Sequence, residues 1–329
     1  MPGKPSPLSL SRRAFASGLC ASTFLLAGRP TQTLGKEAAA PIDETGFVSI
    51  GGIDQWIAIQ GRDSRNPVIL YLHGGPGEAQ SPFLDQFLPW QHDFTVVNWD
   101  QRGAGKTYEK NGDATPNLTL DQLVEDAVSL SEYVLKKLGK KKLILVGQSA
   151  GSMLGLLVAK HRPDLFYAYV GTAQMVSVEA MRQWQEKMAH AEPTHDAAEA
   201  KALHAWALMS PPDVPYIKLQ MDFMGSPDHP NPAGAKWQAG YNFEASKVGR
   251  KMSEFDAMRD AGDLPVPYIL IQGREDRLTP FVLAKDYFDK VRSNGKVFVA
   301  IDGGHFACFT HAGQFIAALR THVTPLIRA

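Results

Sequence analysis

The stretch Lys142-Leu-Ile-Leu-Val-Gly-Gln-Ser-Ala-Gly-Ser-Met-Leu-Gly155 decides the fold of this 329-residue chain. Leu143 to Val146 is an apolar run of strand length, and the residues from Ser152 to Lys160 are typical of a helix. Between them lies a Gly-x-Ser-x-Gly turn with Ser149 at its tip. A serine on such a strand-to-helix turn is held strained and exposed, which suits a nucleophile. The pattern therefore predicts Ser149 as a catalytic nucleophile, and the alternative is a buried serine in an ordinary tight turn.

A loop rich in glycine follows an earlier apolar run, Val68 to Leu72, which is suited to a strand buried on both faces. Four of the five residues in His73-Gly-Gly-Pro-Gly77 are Gly or Pro, so the loop exposes backbone N–H groups rather than side chains. Fixed amide donors stabilise the oxyanion that forms when a nucleophile attacks a carbonyl group. We predict an oxyanion hole made by the N–H groups of Gly75 and Ala150, with a plain Gly-Pro turn as the alternative.

Candidates for the acid and the base follow the two later predicted strands, Tyr268 to Ile271 and Val297 to Ile301. Asp276 fits a Gly-x-x-Asp-x-x-x-Pro spacing after the first of these strands, and Glu275 is the alternative. His305 follows two glycines after the second strand. We therefore predict a triad of Ser149, Asp276 and His305 that forms and hydrolyses an acyl-enzyme and needs no cofactor.

The loop from Asp100 to Thr107 ends in Gly-Lys-Thr, which imitates part of a phosphate-binding P-loop. That motif requires glycine at the position of Asp100, so we exclude nucleotide binding. We predict instead that Asp100 and Arg102 form a structural ion pair that fixes this loop near the site.

Composition narrows the classes of partner. The chain is 44% hydrophobic and 21% charged, its formal net charge is zero, and it has no long basic run, which argues against nucleic acid. The four histidines between residues 190 and 229 lack tight ligand spacing, so no metal site is predicted. The expected partner is a small molecule or a short peptide.

The amino terminus has the features of an export signal. Arg12 and Arg13 precede an apolar run from Phe15 to Gly28, and Ala38-Ala-Ala40 supplies a small-x-small cleavage site. The apolar run is shorter than the roughly 20 residues that span a bilayer. We predict a twin-arginine signal peptide over residues 1–40, a periplasmic or secreted protein, and no stable membrane insertion after cleavage. The alternative is a disordered basic tail on a cytoplasmic protein.

Three motifs in order, His73 to Gly77, Asn98-Trp-Asp-Gln-Arg-Gly-Ala-Gly105 and the Ser149 turn, resemble the proline iminopeptidase family. This resemblance implies the α/β-hydrolase fold, which is a mostly parallel, doubly wound sheet with an inserted helical cap and a Ser-Asp-His triad. The chain departs from the family pattern Gly-Gly-Ser-Trp-Gly-Ser at Gln148 and Ala150. Loss of the tryptophan should open space beside the nucleophile.

The cap is expected between the predicted strands Tyr169 to Thr172 and Tyr268 to Ile271, because a gap of roughly 95 residues is far longer than a crossover needs. The intervening residues have helical spacing. We predict a helical cap over residues 176–262 and a hydrolase core formed by residues 41–175 and 263–329.

The sequence leaves more than one class of substrate open. The family holds the substrate amine with cap glutamates, one of which follows a tryptophan, whereas Trp206 is followed by alanine here. Glu179, Glu186 and Glu244 remain as candidate amine ligands. The alternatives are a carboxylesterase or lactonase and a non-catalytic binding protein. We expect hydrolysis of short aryl esters, with weaker activity on prolyl amides.

Overall fold

The computed structural model describes residues 40–191 and 210–328. The strands are β1 (Ile42–Ile50), β2 (Ile53–Gly61), β3 (Val68–Leu72), β4 (Thr95–Trp99), β5 (Leu143–Gln148), β6 (Phe166–Thr172), β7 (Asp263–Leu264), β8 (Tyr268–Gly273), β9 (Arg292–Ser293) and β10 (Lys296–Ile301). Eight of them form one sheet in the order β1-β2-β4-β3-β5-β6-β8-β10. The two pairings of β2 are antiparallel and the other five are parallel. The signal peptide predicted for residues 1–40 lies, apart from Ala40, outside the described residues.

Helices cover both faces of this sheet. They are α1 (Gly105–Asn111), α2 (Leu120–Leu138), α3 (Ala150–His161), α4 (Val178–Ala191), α5 (Val214–Met224), α6 (Pro232–Ser253), α7 (Ala257–Ala261), α8 (Phe281–Lys290), α9 (Ala307–Thr310), α10 (Ala312–His322) and α11 (Thr324–Arg328). None of the helices in the described part of the chain is long and apolar enough to cross a bilayer.

The central strand β3 shows why the sequence favours this arrangement. All five of its side chains are buried. Leu70 and Leu72 belong to the core on one face of the sheet, with residues of α2, α3 and α8, whereas Ile69 and Tyr71 belong to the core on the other face, with residues of α10. A parallel strand covered by helices on both faces must be apolar throughout, as its sequence is. The predicted doubly wound α/β-hydrolase fold is therefore confirmed.

Between β6 and β8 the chain leaves the sheet. In the range 176–262 predicted as a cap, the structure has α4, a short turn at Pro211–Asp213, and the helices α5, α6 and α7. An isolated antiparallel bridge between Ser177 and Asp256 joins the two ends of this insertion. Residues 192–209, which include Trp206, lie outside the described residues.

Candidate active site

Ser149 occupies the turn between β5 and α3 with φ +54° and ψ −123°. This conformation is uncommon for a residue with a side chain and is held by the close packing of its neighbours. A Cβ on Gly147 would lie 2.4 Å from the carbonyl oxygen of Gly151. A Cβ on Gly151 would lie 2.1 Å from the carbonyl oxygen of Leu72 in β3. Both glycines are therefore required for the turn to fit between the sheet and α3.

The structure brings the three predicted triad residues together. His305 Nε2 lies 3.0 Å from Ser149 Oγ, and His305 Nδ1 lies 3.3 Å from each carboxylate oxygen of Asp276. The residues reach this point from the carboxyl ends of β5, β8 and β10, which meet at one edge of the parallel sheet. His305 and Asp276 are both buried, so their interaction is little screened by water.

Asp276 is held by donors that the sequence analysis did not identify. Its carboxylate accepts hydrogen bonds from the side chains of Thr279 at 2.7 Å and Gln272 at 2.9 Å. It also accepts the backbone N–H groups of Leu278 at 3.0 Å and Thr279 at 2.9 Å. The alternative acid, Glu275, is exposed at the surface. The sequence contained a signal for Thr279, because this hydroxyl residue lies three positions after the acid and two positions before α8.

The charge on His305 is set by opposing effects. Burial by itself lowers the pKa of the imidazole, but the charge of Asp276 and its hydrogen bond, followed by the charges of Glu78 and Asp213, raise the pKa of His305 above its ordinary value. The surrounding carboxylates therefore stabilise the charged form of His305, the imidazolium.

The predicted oxyanion loop lies beside Ser149. A Cβ on Gly74 would stand 3.0 Å from Ser149 Cβ, and Gly75 has φ +108°. His73 fixes the loop, because its Nδ1 bonds the carbonyl oxygen of Gly74 at 2.9 Å and its Nε2 accepts the N–H of Gln101 at 3.2 Å. Burial lowers the pKa of His73 to about 4, so the ring is neutral near pH 7.

The ion pair predicted between Asp100 and Arg102 is wrong. Arg102 pairs with Asp126 at 2.7 Å, and both side chains are fully buried. Asp100 instead accepts the backbone N–H groups of Ser81 at 3.2 Å and Lys106 at 2.9 Å. Arg102 is drawn to Asp126 because that carboxylate lies on the apolar side of α2, where an unpaired charge would be costly.

Glu78, directly after the oxyanion loop, is a site residue that the sequence analysis missed. A Cβ on Gly74 would lie 2.9 Å from Glu78 Oε2 and 3.0 Å from Ser149 Cβ, so this carboxylate and Ser149 lie close together on the same side of that glycine. Gln220 of α5 donates a hydrogen bond to Glu78 Oε1. Burial raises the pKa of Glu78, and the cation that opposes this shift is His305. The site therefore holds a buried acid that accepts a hydrogen bond from Gln220 and interacts with the charge of His305.

The three glutamates proposed from the sequence as amine ligands are placed differently from one another. Glu179 and Glu186 are exposed and both bond Arg182, so their charges are already paired at the surface. Glu244 is buried on α6, where burial raises its pKa to about 8. Its Oε2 has no hydrogen-bond partner among the residues that the structure describes. None of the three presents a free, charged carboxylate beside Ser149.

Potential metal ligands do not converge in the residues that the structure describes, where no group of three or more His, Cys, Asp or Glu side chains could hold an ion. Cys308 is a buried thiol on α9, and burial raises its pKa well above the ordinary value.

Comparison with known proteins identifies a family and several relatives that this chain resembles. The family model described as alpha/beta hydrolase fold matches residues 67–312. The chain is 28% identical to the probable aminopeptidase YbaC of Bacillus subtilis over 279 residues, covering 76% of this chain and 86% of that one. It is 23% identical to the proline iminopeptidase of Lactobacillus helveticus, covering 82% and 94% of the two chains.

A similar solved structure is that of a proline iminopeptidase-related protein of Thermus thermophilus. The TM-score is 0.62 at 20% identity, and the match covers 87% of this chain and 99% of that one. At this identity the likeness establishes the fold alone. Together with the relatives, it confirms the resemblance to proline iminopeptidases that the three sequence motifs predicted.

Proposed function

Because the chain belongs to the α/β-hydrolase family, we propose that it is a serine hydrolase that cleaves a small amide or ester through an acyl-enzyme on Ser149. The observation that carries this proposal is the alignment of Ser149 Oγ, His305 and Asp276 at 3.0 and 3.3 Å. A serine hydroxyl is a weak nucleophile until a neighbouring base accepts its proton, and His305 Nε2 is placed to do so.

The proposed reaction has two halves. In the first, His305 Nε2 takes the Ser149 proton, Oγ attacks the substrate carbonyl carbon, and the N–H groups of Gly75 and Ala150 hold the oxyanion. The imidazolium then donates its proton to the leaving amine or alcohol as the acyl-enzyme forms. In the second half, His305 deprotonates a water molecule whose oxygen attacks the acyl carbon. The bond from that carbon to Ser149 Oγ then breaks, the imidazolium returns its proton to Oγ, and the carboxylic acid product leaves. Asp276 accepts the Nδ1–H group of His305 and orients the ring.

The sequence alone predicts better hydrolysis of short aryl esters than of prolyl amides, but the position of Glu78 leads us to propose instead that the preferred substrates are amides with a free amino group, recognised by Glu78. The names of the relatives, aminopeptidase and proline iminopeptidase, support this class of substrate. Within the site, Glu78 is buried, and its Oε2 lies beside Ser149 on the same side of Gly74. A substrate ammonium beside the scissile carbonyl would provide a cation for this buried acid, which would offset the cost of desolvating both charges.

Glu78→Gln is expected to lower kcat/KM for a proline aryl amide by about 10²- to 10³-fold, because removing one member of a buried charge pair costs roughly 2–5 kcal/mol. Hydrolysis of an aryl butyrate, which carries no amine, should change little. The measurement is kcat/KM for both substrates and for the N-acetylated prolyl amide, each at the pH optimum of the variant. Glu179→Gln, an exposed acid already paired with Arg182, is the matched control.

The competing function is an esterase without aminopeptidase activity. The observation in its favour is Ala150, which leaves room beside the nucleophile where the related family has tryptophan. Rapid turnover of the aryl butyrate with no turnover of the free prolyl amide would establish the esterase and refute amine recognition. Equal losses on both substrates in Glu78→Gln would show that Glu78 acts on the triad and does not bind the amine.

We also propose that the protein is exported in folded form, supported by Arg12-Arg13 and the Ala38-x-Ala40 site. Replacing Arg12 and Arg13 by lysine is expected to keep the full-length protein in the cytoplasm, since that export route reads the arginine pair. The measurement is fractionation with amino-terminal sequencing of the wild type and the double variant. Normal export and processing of the variant would contradict this route.

A further inference from the structure

A buried carboxylate of the cap reaches the loop that carries the base. Asp213 ends the turn Pro211–Asp213 and is fully buried. Its Oδ2 accepts the backbone N–H of His305 at 2.7 Å, and its Oδ1 accepts the backbone N–H of Phe306 at 3.0 Å. Ser210 Oγ donates a third hydrogen bond to Oδ2 at 3.1 Å. The cap thus accepts hydrogen bonds from two consecutive backbone N–H groups of the core, and the His305 side chain leaves the backbone between them.

The core is shaped to admit this carboxylate. A Cβ on Gly304, the residue before His305, would lie 2.1 Å from Asp213 Oδ2 and 2.2 Å from Ser210 Oγ. The backbone of Gly304 lies outside the positive φ region, so its lack of a side chain serves the close approach of the cap. The glycine and the acid therefore form one matched contact.

The residues that follow Asp213 extend the contact to the oxyanion loop. Tyr216 stacks on Phe309 with ring centroids 4.8 Å apart, and its hydroxyl donates to Gln80 at 3.1 Å. Gln220 bonds Glu78. One cap segment, Ser210 to Gln220, thus touches both the loop that carries His305 and the chain that follows the oxyanion loop. The turn cannot lift from the core without releasing the His305 loop.

We propose that Asp213 is a positioning residue that fixes the backbone at His305 and so couples the seating of the cap to the alignment of the base. This proposal rests on the serine hydrolase function proposed above. Two charge-assisted hydrogen bonds to consecutive N–H groups define the direction in which the His305 side chain leaves the backbone. Movement of the imidazole by about 1 Å is enough to lower the rate by about 10²-fold.

The charges around His305 provide a readout beyond stability. The acids that act on it are Asp276 on the loop after β8, Glu78 on the loop after β3, and Asp213 in the cap. Each carboxylate favours the imidazolium, so removing the charge of Asp213 should lower the pKa of His305. Since the reaction needs neutral His305, the acidic limb of the kcat/KM profile should move to lower pH. The Cys308 thiol, which also faces Asp213, stays neutral because its pKa is raised.

The experiment compares Asp213→Asn with the wild type in full pH profiles, using p-nitrophenyl butyrate or the proline aryl amide. The amide can accept only one of the two N–H groups and presents its own donor to the other. We expect kcat to fall about 10²-fold with KM little changed, and the acidic limb to move to lower pH. Asp222→Asn, which removes an exposed acid from α5, is the matched control and should leave kcat and the acidic limb unchanged.

Gly304→Ala tests the same contact without removing the acid, because the added methyl group displaces Asp213 and Ser210. Gly304→Ala should lower kcat in the same way. If circular dichroism shows that Asp213→Asn does not fold, the kcat of Gly304→Ala tests the positioning role of Asp213 in its place. Unchanged kcat in a folded Asp213→Asn or Gly304→Ala variant would overturn the positioning role. A fall in kcat in Asp213→Asn without a shift of the acidic limb would also overturn it. Activity that survives Ser149→Ala would instead overturn the proposed function itself.

Discussion

Ser149→Ala is expected to lower kcat by about 10⁶-fold, as the loss of a triad nucleophile does in other serine hydrolases. The Ser149 hydroxyl has one protein partner among the described residues, His305 Nε2 at 3.0 Å, so its removal takes away the nucleophile and little else. The backbone at 149 keeps its strained conformation, which alanine adopts no less readily than serine. The melting temperature should therefore change little. The measurement is kcat on a hydrolysed aryl ester or amide, with thermal unfolding by circular dichroism.

The control for this prediction is Ser152→Ala, three residues along the same turn. Ser152 Oγ donates to the carbonyl oxygen of Ser149 at 2.6 Å and accepts hydrogen bonds from Gln174 and Met175. Its removal leaves buried donors unsatisfied, which should cost about 1–3 kcal/mol of unfolding free energy while most of the activity remains. The two serines should thus give opposite patterns. A Ser149→Ala variant with a tenth of the wild-type activity would refute the nucleophile assignment.

The features that could be predicted from the sequence are those encoded by local patterns. An apolar run followed by Gly-x-Ser-x-Gly specifies β5, the turn and α3, since only glycine fits the contacts that Gly147 and Gly151 make. The strand runs before Asp276 and His305 place both residues at the carboxyl edge of a parallel sheet, where the ends of its strands converge. For these reasons the fold class followed from the sequence, and Asp276 and His305 could be selected as candidates.

The features that escaped prediction depend on contacts between distant segments. Asp100 is two residues from Arg102, yet the arginine pairs with Asp126 because the loop after β4 brings it against α2, a contact between segments far apart in the sequence. Asp213 lies in a proline-rich turn that marks it as surface, and only the docking of the cap buries it against His305. Glu179 and Glu186 are amine-ligand candidates on charge alone. On a helix, however, both lie within one turn of Arg182 and pair with it.

Glu78 also escaped prediction, although its position in the sequence was informative. Its position directly after the Gly-Pro loop was visible in the sequence, but its burial and its approach to Ser149 depend on how that loop folds over Gly74. The structure surrounds one base with three buried acids, Asp276, Glu78 and Asp213. These acids have different partners, so the removal of each one should have a different consequence.

Asp276→Asn is expected to lower kcat by about 10⁴-fold, the loss seen when a triad aspartate elsewhere becomes an amide. In the proposed mechanism the carboxylate accepts Nδ1–H of His305, which leaves Nε2 free to take the Ser149 proton, and it stabilises the imidazolium that results. An asparagine held by the donors of Thr279 and Gln272 would present its own N–H₂ group and favour the wrong tautomer. Glu275→Gln, a change at the exposed neighbouring acid, should leave kcat within about threefold of the wild type, in line with the small effects of surface substitutions. The measurement is kcat for both variants on one substrate, and a severe loss in Glu275→Gln with a mild one in Asp276→Asn would transfer the role of the acid to Glu275.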